Sequence, residues 1–352
     1  MSVSVVICAY TLDRWDSLKA AVQSCNEQTI LPEELIVVID HNEELRARAS
    51  VEFSSALVVA NESTKGLSGA RNTGVALSSC DFVAFLDDDA YADTNWLEEL
   101  ISPMSDSTVA GTGGFVLPHW EGDIAAWFPE TFYWILGCSF AGLPTSNAPI
   151  RNPIGANMAI RRRVFTSVGG FTSGLGRIGV TPLGCEETEL CIRYTAQFPD
   201  QQFMFARAAV VHHRVPPSRL TWHYFWTRCW AEGLSKAAVA SLVGSSAGLA
   251  AERKHVLGAL PREMGQSLAK LSRHPRVALT RSMLIVAGTC LAIAGVLRGK
   301  VALLRVPLQT PIDEQALFLK TLRQGETKRV VAKQLDKRPG DNVHNKRVNN
   351  EA

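Results

Sequence analysis

The 352-residue chain has no C-x-x-C pair and no P-loop, and no G-x-G-x-x-G turn follows its first apolar segment. Each gap removes a class of function. Without a P-loop, the commonest phosphoryl-transfer design is excluded. After the opening run the residues are Ala9-Tyr10-Thr11-Leu12-Asp13, which offer no glycine turn for a pyrophosphate, so hydride transfer on a dinucleotide is disfavoured. The eight cysteines, at positions 8, 25, 80, 138, 185, 191, 229 and 290, form no dense framework and read as small apolar residues in a reducing compartment. A strand beginning at Val3 leaves no room for a charged and then apolar leader, so no secretory signal is expected. No nucleic-acid module pattern occurs. Residues 283–297 carry no charge, but at 15 residues they stop short of the roughly 20 needed to cross a bilayer, unless Arg281 and Arg298 snorkel outward. A crossing, a shallow or re-entrant membrane helix and a buried helix all remain open for that span.

What is present is a folded composition, 46% hydrophobic and 20% charged, with a net charge of +2 that conceals an asymmetry. Residues 1–100 hold 6 Lys and Arg against 17 Asp and Glu, whereas residues 201–352 hold 24 against 9. The N-terminal part is therefore expected to bind cations. The C-terminal part is expected to bind anions, a membrane surface or a phosphate-bearing ligand before nucleic acid.

Apolar runs at 3–10, 35–39, 56–60 and 82–86 alternate with helical patterns. This βαβαβαβ order implies a mostly parallel sheet with right-handed crossovers. Further strands are expected at 109–117, 154–160 and 203–211, the last ending at His212 and His213, and a helix at 186–198 opening with three glutamates. Residues 118–152 lack a period and read as a substrate-facing insertion, and the glycine-rich stretch 174–184 as a mobile loop. Beyond 218, Trp222, Tyr224, Phe225, Trp226 and Trp230 interleave with Arg219, His223 and Arg228, a pattern that suits a membrane interface. The tail from 326 is polar and basic and is expected to be disordered.

The segment 82–91, FVAFLDDDAY, delivers Asp87, Asp88 and Asp89 at the end of a buried strand. Ligands of open α/β sheets bind outside the carboxyl ends of the strands, and three adjacent carboxylates repel one another and favour a bound cation. Hard oxygens suit Mg2+ or Mn2+, which fill their remaining shell with substrate phosphates. The alternative is a loop of ordinary turn acids.

Five signals in order, VSVVICAYT, a strand ending in Asp40, KGLSGARNTG, FLDDD, and GANMAIRR followed by GCEETEL, resemble the family 2 glycosyltransferases, inverting enzymes of GT-A fold that use nucleotide sugars. The resemblance covers about residues 1–235. Residues 211–237, VHHRVPPSRLTWHYFWTRCWAEGLSKA, look like members acting on polyprenyl- or dolichyl-phosphate-linked sugars. The resemblance implies an α/β GT-A catalytic domain over 1–218, Rossmann-like with a mostly parallel sheet. A helical, membrane-associated region over 219–325 and the basic tail 326–352 would follow. It implies Mg2+ or Mn2+ held by Asp89 and His213, with His212 as the competing ligand. Donor contacts would come from Ala9, Tyr10, Thr11, Asp13, Asp40 at the nucleobase, Lys65, Arg71, Asp87 and Asp88. Asn157, Arg161 and Glu186 would face the acceptor. Glu187 stands where the family places its base, usually Asp, and Glu186 competes for that role. Plain structural roles stay open: a turn acid for Asp40, a surface cation for Arg71 and helix-start acids for 186–189. The expected partners are a nucleotide-sugar donor and a lipid-linked or glycan acceptor at the cytoplasmic face of the cell membrane, with no nucleic acid. A soluble acceptor, a non-catalytic nucleotide-sugar-binding subunit and a nucleotidyltransferase are the competing functions.

Overall fold

A computed structural model describes residues 1–123, 125–176 and 184–303. The tail from 326, part of the helical region and most of the glycine-rich stretch lie outside them. In chain order the elements are β1 (Val3–Ala9), α1 (Trp15–Asn26), β2 (Glu34–Ile39), α2 (Glu43–Glu52), β3 (Leu57–Ala60), α3 (Leu67–Leu77), β4 (Phe82–Asp87), β5 (Ala90–Ala92) and α4 (Trp96–Ile101). Then come β6 (Val109–Trp120), β7 (Ala148–Ile150), β8 (Asn157–Arg161), α5 (Arg162–Val168), α6 (Glu186–Gln197) and β9 (Gln202–Val215). The last described elements are α7 (Trp222–Val243), α8 (Ser245–Gly248), α9 (Ala250–Lys254), α10 (Leu260–Ala269) and α11 (Pro275–Leu303).

One sheet holds all the strands in the order β3-β2-β1-β4-β8-β6-β9-β5, with β7 beside β9. The expected parallel order holds for β3-β2-β1-β4. Beyond β4 the sheet is mixed: β8 runs antiparallel to β4 and β6, and β9 runs parallel to β6 but antiparallel to β5 and β7. Period-2 alternation sends successive strand residues to opposite faces. Along β1, Val3, Val5, Ile7 and Ala9 pack against α1 and α4, while Val6 packs on the other side with residues of α3, α5 and α6. Helices therefore cover both faces.

The strand expected to end at 211 runs on to Val215, because β6 is longer than its apolar run suggests and supplies a ladder as far as Trp120 opposite Val215. His213 thus lies inside a strand rather than after it. The short β5 and α5 were not expected, and the 118–152 insertion contains the 3-10 turn Glu130–Leu136 and β7.

The C-terminal helices join the same core. Phe225 and Cys229 of α7 and Leu284 and Ile285 of α11 are buried in the cluster that covers β1 and α1. Glycines bring α7 and α11 together: a Cβ on Gly233 would lie 2.2 Å from the Ala292 carbonyl oxygen and 2.8 Å from the Gly295 Cα. Small residues at such crossings let two backbones approach closely. The opposite face of α11 exposes Leu279, Met283, Val286, Ile293, Leu297 and Val301. At 29 residues, α11 is long and apolar enough to cross a membrane.

Gly233→Val should force the two helices apart and cost about 1–3 kcal/mol. The loss would appear in guanidinium denaturation, with faster proteolytic cleavage within α11. A variant as stable and as protected as the parent would show that the glycine contact does not hold α11.

Candidate active site

The carboxyl ends of the parallel strands gather the acids. Cys8 of β1 lies opposite Asp87, and Ala9 opposite Ile39, so Tyr10, Asp40 and Asp88 follow directly at one edge. They border a cavity of about 1800 Å3 whose wall includes Ala9, Tyr10, Asp40, Arg71, Asp87, Asp88, Asp89, Glu186, Glu187 and His213.

Asp89 is buried among cations. Its Oδ1 lies 3.1 Å from His213 Nε2, and its Oδ2 lies 2.8 Å from an Arg219 nitrogen and 3.2 Å from Arg14 Nη1. Burial alone would raise this carboxyl, but His213, Arg14 and Arg219 hold it well below the usual range. Burial conversely opposes a charge on His213, yet Asp89 outweighs it and lifts the imidazole to about 10. Asp88 accepts from Arg14 at 2.7 Å. Burial and the adjacent carboxylates outweigh that arginine, and Asp88 is pushed up to about 7. Its Oδ2 is buried without a hydrogen-bond partner, which is costly unless a ligand or ion meets it.

Asp87, Asp89 and His213 each offer one ligand atom, all within 4.8 Å of one another. Two carboxylates and an imidazole, which would release its proton as the ion took over the charge on Asp89, with an orphaned carboxylate oxygen beside them, fit a divalent cation such as Mg2+ or Mn2+. The adjacent histidines divide by strand alternation. His213 shares the inward face with Val211 and Val215, whereas His212 turns outward, bonds Asp93 at 2.8 Å and stacks on Tyr91.

Arg71 of α3 closes the other side. It reaches Glu186 at 2.5 Å, the Gly155 carbonyl at 2.9 Å and Asp87 at 3.3 Å. The two leading acids of α6 are therefore unlike. Glu186 is 3% exposed and tied to Arg71. Glu187 is partly exposed on the cavity wall, and burial together with Glu186 pushes it up to about 8. Cys185, just before them, has the left-handed φ of 76°, a strained conformation for a residue with a side chain.

The sequence-derived residues divide as follows. Asp40 accepts from Asn61, the Gly66 amide and His41 and stays on the cavity wall. Thr11 and Asp13 bond each other at a 3-10 turn outside the wall, and Lys65 is exposed beyond it. Two expectations are corrected. Asn157 does not face an acceptor: it is fully buried, accepts from the Trp96 indole at 2.8 Å and donates to the Phe115 and Ala209 carbonyls. Arg161 lies at the far end of β8, opposite Phe82, and its guanidinium binds the carbonyls of Val109, Met104 and Asp106. Arg14 and Arg219 were missed. The signal for them was electrostatic, since buried adjacent carboxylates require counter-cations.

The glycosyl transferase family 2 model matches residues 4–169. The glucosyl-dolichyl phosphate glucuronosyltransferase of Haloferax volcanii is 34% identical over 240 residues, covering 67% of this chain and 76% of that protein. The chain belongs to glycosyltransferase family 2. This family 2 chain is also 33% identical over 110 residues to the UDP-Glc:alpha-D-GlcNAc-diphosphoundecaprenol beta-1,3-glucosyltransferase WfgD of Escherichia coli, covering 31% of this chain and 43% of that one. The O-antigen chain rhamnosyltransferase WbaN of Salmonella anatum is 29% identical over 163 residues, 45% of this chain and 51% of that one. The protein is thus a glycosyltransferase of GT-A fold, and the acidic edge of its sheet is the candidate active site.

In a Mn2+ titration, His213→Ala should weaken binding by at least about 10-fold, and His212→Ala should leave it unchanged. Equal effects from the two would contradict the assignment of the inward histidine.

Proposed function

We propose that this glycosyltransferase moves one sugar, with inversion, from a nucleotide-sugar donor to a polyprenyl-linked glycan acceptor at the cytoplasmic face of the cell membrane. The observation that carries this reading is one cavity whose wall includes the Asp87–Asp89–His213 cluster, the partly exposed Glu187 and residues of α11. The names of two relatives, one with a dolichyl phosphate and one with a diphosphoundecaprenol, support the lipid-linked acceptor. The exposed apolar stripe of α11 supports contact with the membrane.

A Mg2+ or Mn2+ on Asp87, Asp89 and His213 would stabilise the charge that develops on the nucleoside diphosphate as the glycosidic bond breaks. Arg14 and Arg219 hold Asp89 ionised for this role. Asp88 orients the ribose, and Asp40, fixed by three hydrogen bonds, faces the nucleobase with Ala9 and Tyr10. Arg71 keeps Glu186 engaged, so Glu187 is the carboxylate available to the acceptor. It takes the proton from the attacking hydroxyl on the face opposite the leaving group.

The test is a donor screen with Mn2+ or Mg2+, a panel of UDP- and GDP-sugars and a polyprenyl-phosphate-sugar acceptor, scored by nucleoside diphosphate release. Release from one donor, dependent on lipid and abolished by EDTA, is the expected result. Release without lipid would make the acceptor soluble, and silence with nucleotide still bound would overturn the transferase reading.

Glu187→Gln should lower kcat by about 10^2- to 10^4-fold while donor affinity is kept. The base works deprotonated and its pKa is raised, so kcat/KM of the parent should climb with pH through about 8, and the climb should vanish in the variant. The same rise in Glu187→Gln would assign the titration to another group.

A further inference from the structure

The cavity wall is electrically divided. The strand ends with α3 and α6 contribute six carboxylates and three guanidiniums to it; the 118–152 insertion and the C-terminal helices contribute seven Lys and Arg and four carboxylates. A metal and its nucleotide suit the first end. The second calls for an anion.

We propose that this second end is a phosphate subsite for the acceptor lipid, in which Arg151, Arg228 and Lys236 receive the phosphate joining the acceptor sugar to its isoprenoid chain. The inference rests on the transferase reading and deepens it. Arg228, Glu232 and Lys236 stand four residues apart on α7, which places them on one helix face, and all three line the cavity. Lys236 is 8% exposed, with its ammonium 2.8 Å from Glu252 and 3.2 Å from Glu232. Arg151 grips both oxygens of Glu252, at 2.7 and 2.9 Å. Apolar residues would usually stabilise such a wall as well as a buried ion pair does, so charge kept there needs a role other than stability. Their neighbours hold these groups charged and in place: against the pull of burial, Cys185, Glu232 and Glu252 raise Lys236 well above its ordinary value, and Lys236 and Arg151 lower Glu252 to about 2. An ammonium has three donors; Glu232 and Glu252 take two of them, and the Cys185 side chain also bonds it, so a phosphate would displace one of these partners.

The path onward is apolar. Ala292, Ile293, Val296 and Leu297 of α11 line the same cavity, and Ile293 and Leu297 also belong to the exposed stripe that runs along the helix. A chain leaving the phosphate therefore meets a continuous hydrocarbon surface, held at the cavity by the Gly233–Gly295 contact.

The experiment is calorimetric titration of the full-length protein in mild detergent with geranylgeranyl phosphate, geranylgeraniol and inorganic phosphate. The lipid phosphate should bind at least about 10-fold more tightly than either other probe, and Arg228→Gln and Lys236→Gln should each remove about 10-fold of that affinity while Mn2+ binding stays unchanged. Arg228 is partly exposed, so its variant keeps the test open if Lys236→Gln fails to fold. Geranylgeraniol binding as tightly as the phosphate would overturn the proposal, as would inorganic phosphate binding as tightly, or variants equal to the parent. The titration involves no turnover. Lipid phosphate binding with no sugar transfer would overturn the transferase reading alone, whereas transfer indifferent to the lipid's phosphate would overturn the subsite alone.

Discussion

Arg71 is 2% exposed, and a charge taken so far from water costs several kcal/mol unless its donors are matched. The match comes from distant parts of the chain: Glu186 at the start of α6, Asp87 at the end of β4 and the carbonyl of Gly155 before β8. The rings of Phe85 and Phe171 lie beside it, each 5.7 Å from the guanidinium carbon. Gly155 carries no side chain for a related reason, since a Cβ there would fall 2.8 Å from an Arg71 nitrogen. Because one buried cation needs all these partners, the strand end that carries the aspartates and the helix start that carries Glu186 and Glu187 arrive at the same place. The pairing also separates Glu186 from Glu187, since Glu186 is buried against Arg71 and Glu187 is partly exposed.

A similar balance governs the aspartates. Three adjacent carboxylates would repel one another, and the protein offsets this with cations from distant parts of the chain, Arg14 after β1 and Arg219 after β9, together with His213 within β9. The environments push the acids apart: Asp89 stays ionised and Asp88 titrates near neutrality. Arg219 opens the turn into α7, so the same ion pairs that hold Asp89 also fix where the C-terminal helices begin. Those helices then complete the cavity instead of forming a separate unit.

The division of charge along the chain, acidic at the start and basic at the end, is thus folded into the two ends of one cavity. In the function proposed above, this wall would meet charge on both substrates, a metal-bound diphosphate and an anionic acceptor. The apolar stripe on α11 includes Ile293 and Leu297 of the cavity wall, and in the proposed function it would meet the membrane that holds the lipid-linked acceptor.

The sequence by itself determined the parallel half of the sheet, the position of Asp87, Asp88 and Asp89 at a strand end, and the acids that open α6. These follow from apolar periodicity and helix-start chemistry, which act over a few neighbouring residues. Only the tertiary structure decided which histidine turns inward, because β9 reaches that far with β6 and the short β5 as its partners. Likewise, Asn157 stands in a sequence match that suggested an acceptor contact, but its buried carboxamide joins Trp96, Phe115 and Ala209, between 42 and 61 residues away. Arg14, Arg219 and the Lys236 cluster were hidden for the same reason. An ion pair or a buried hydrogen-bond network is a relation between residues far apart in the chain, and no local pattern encodes its partner.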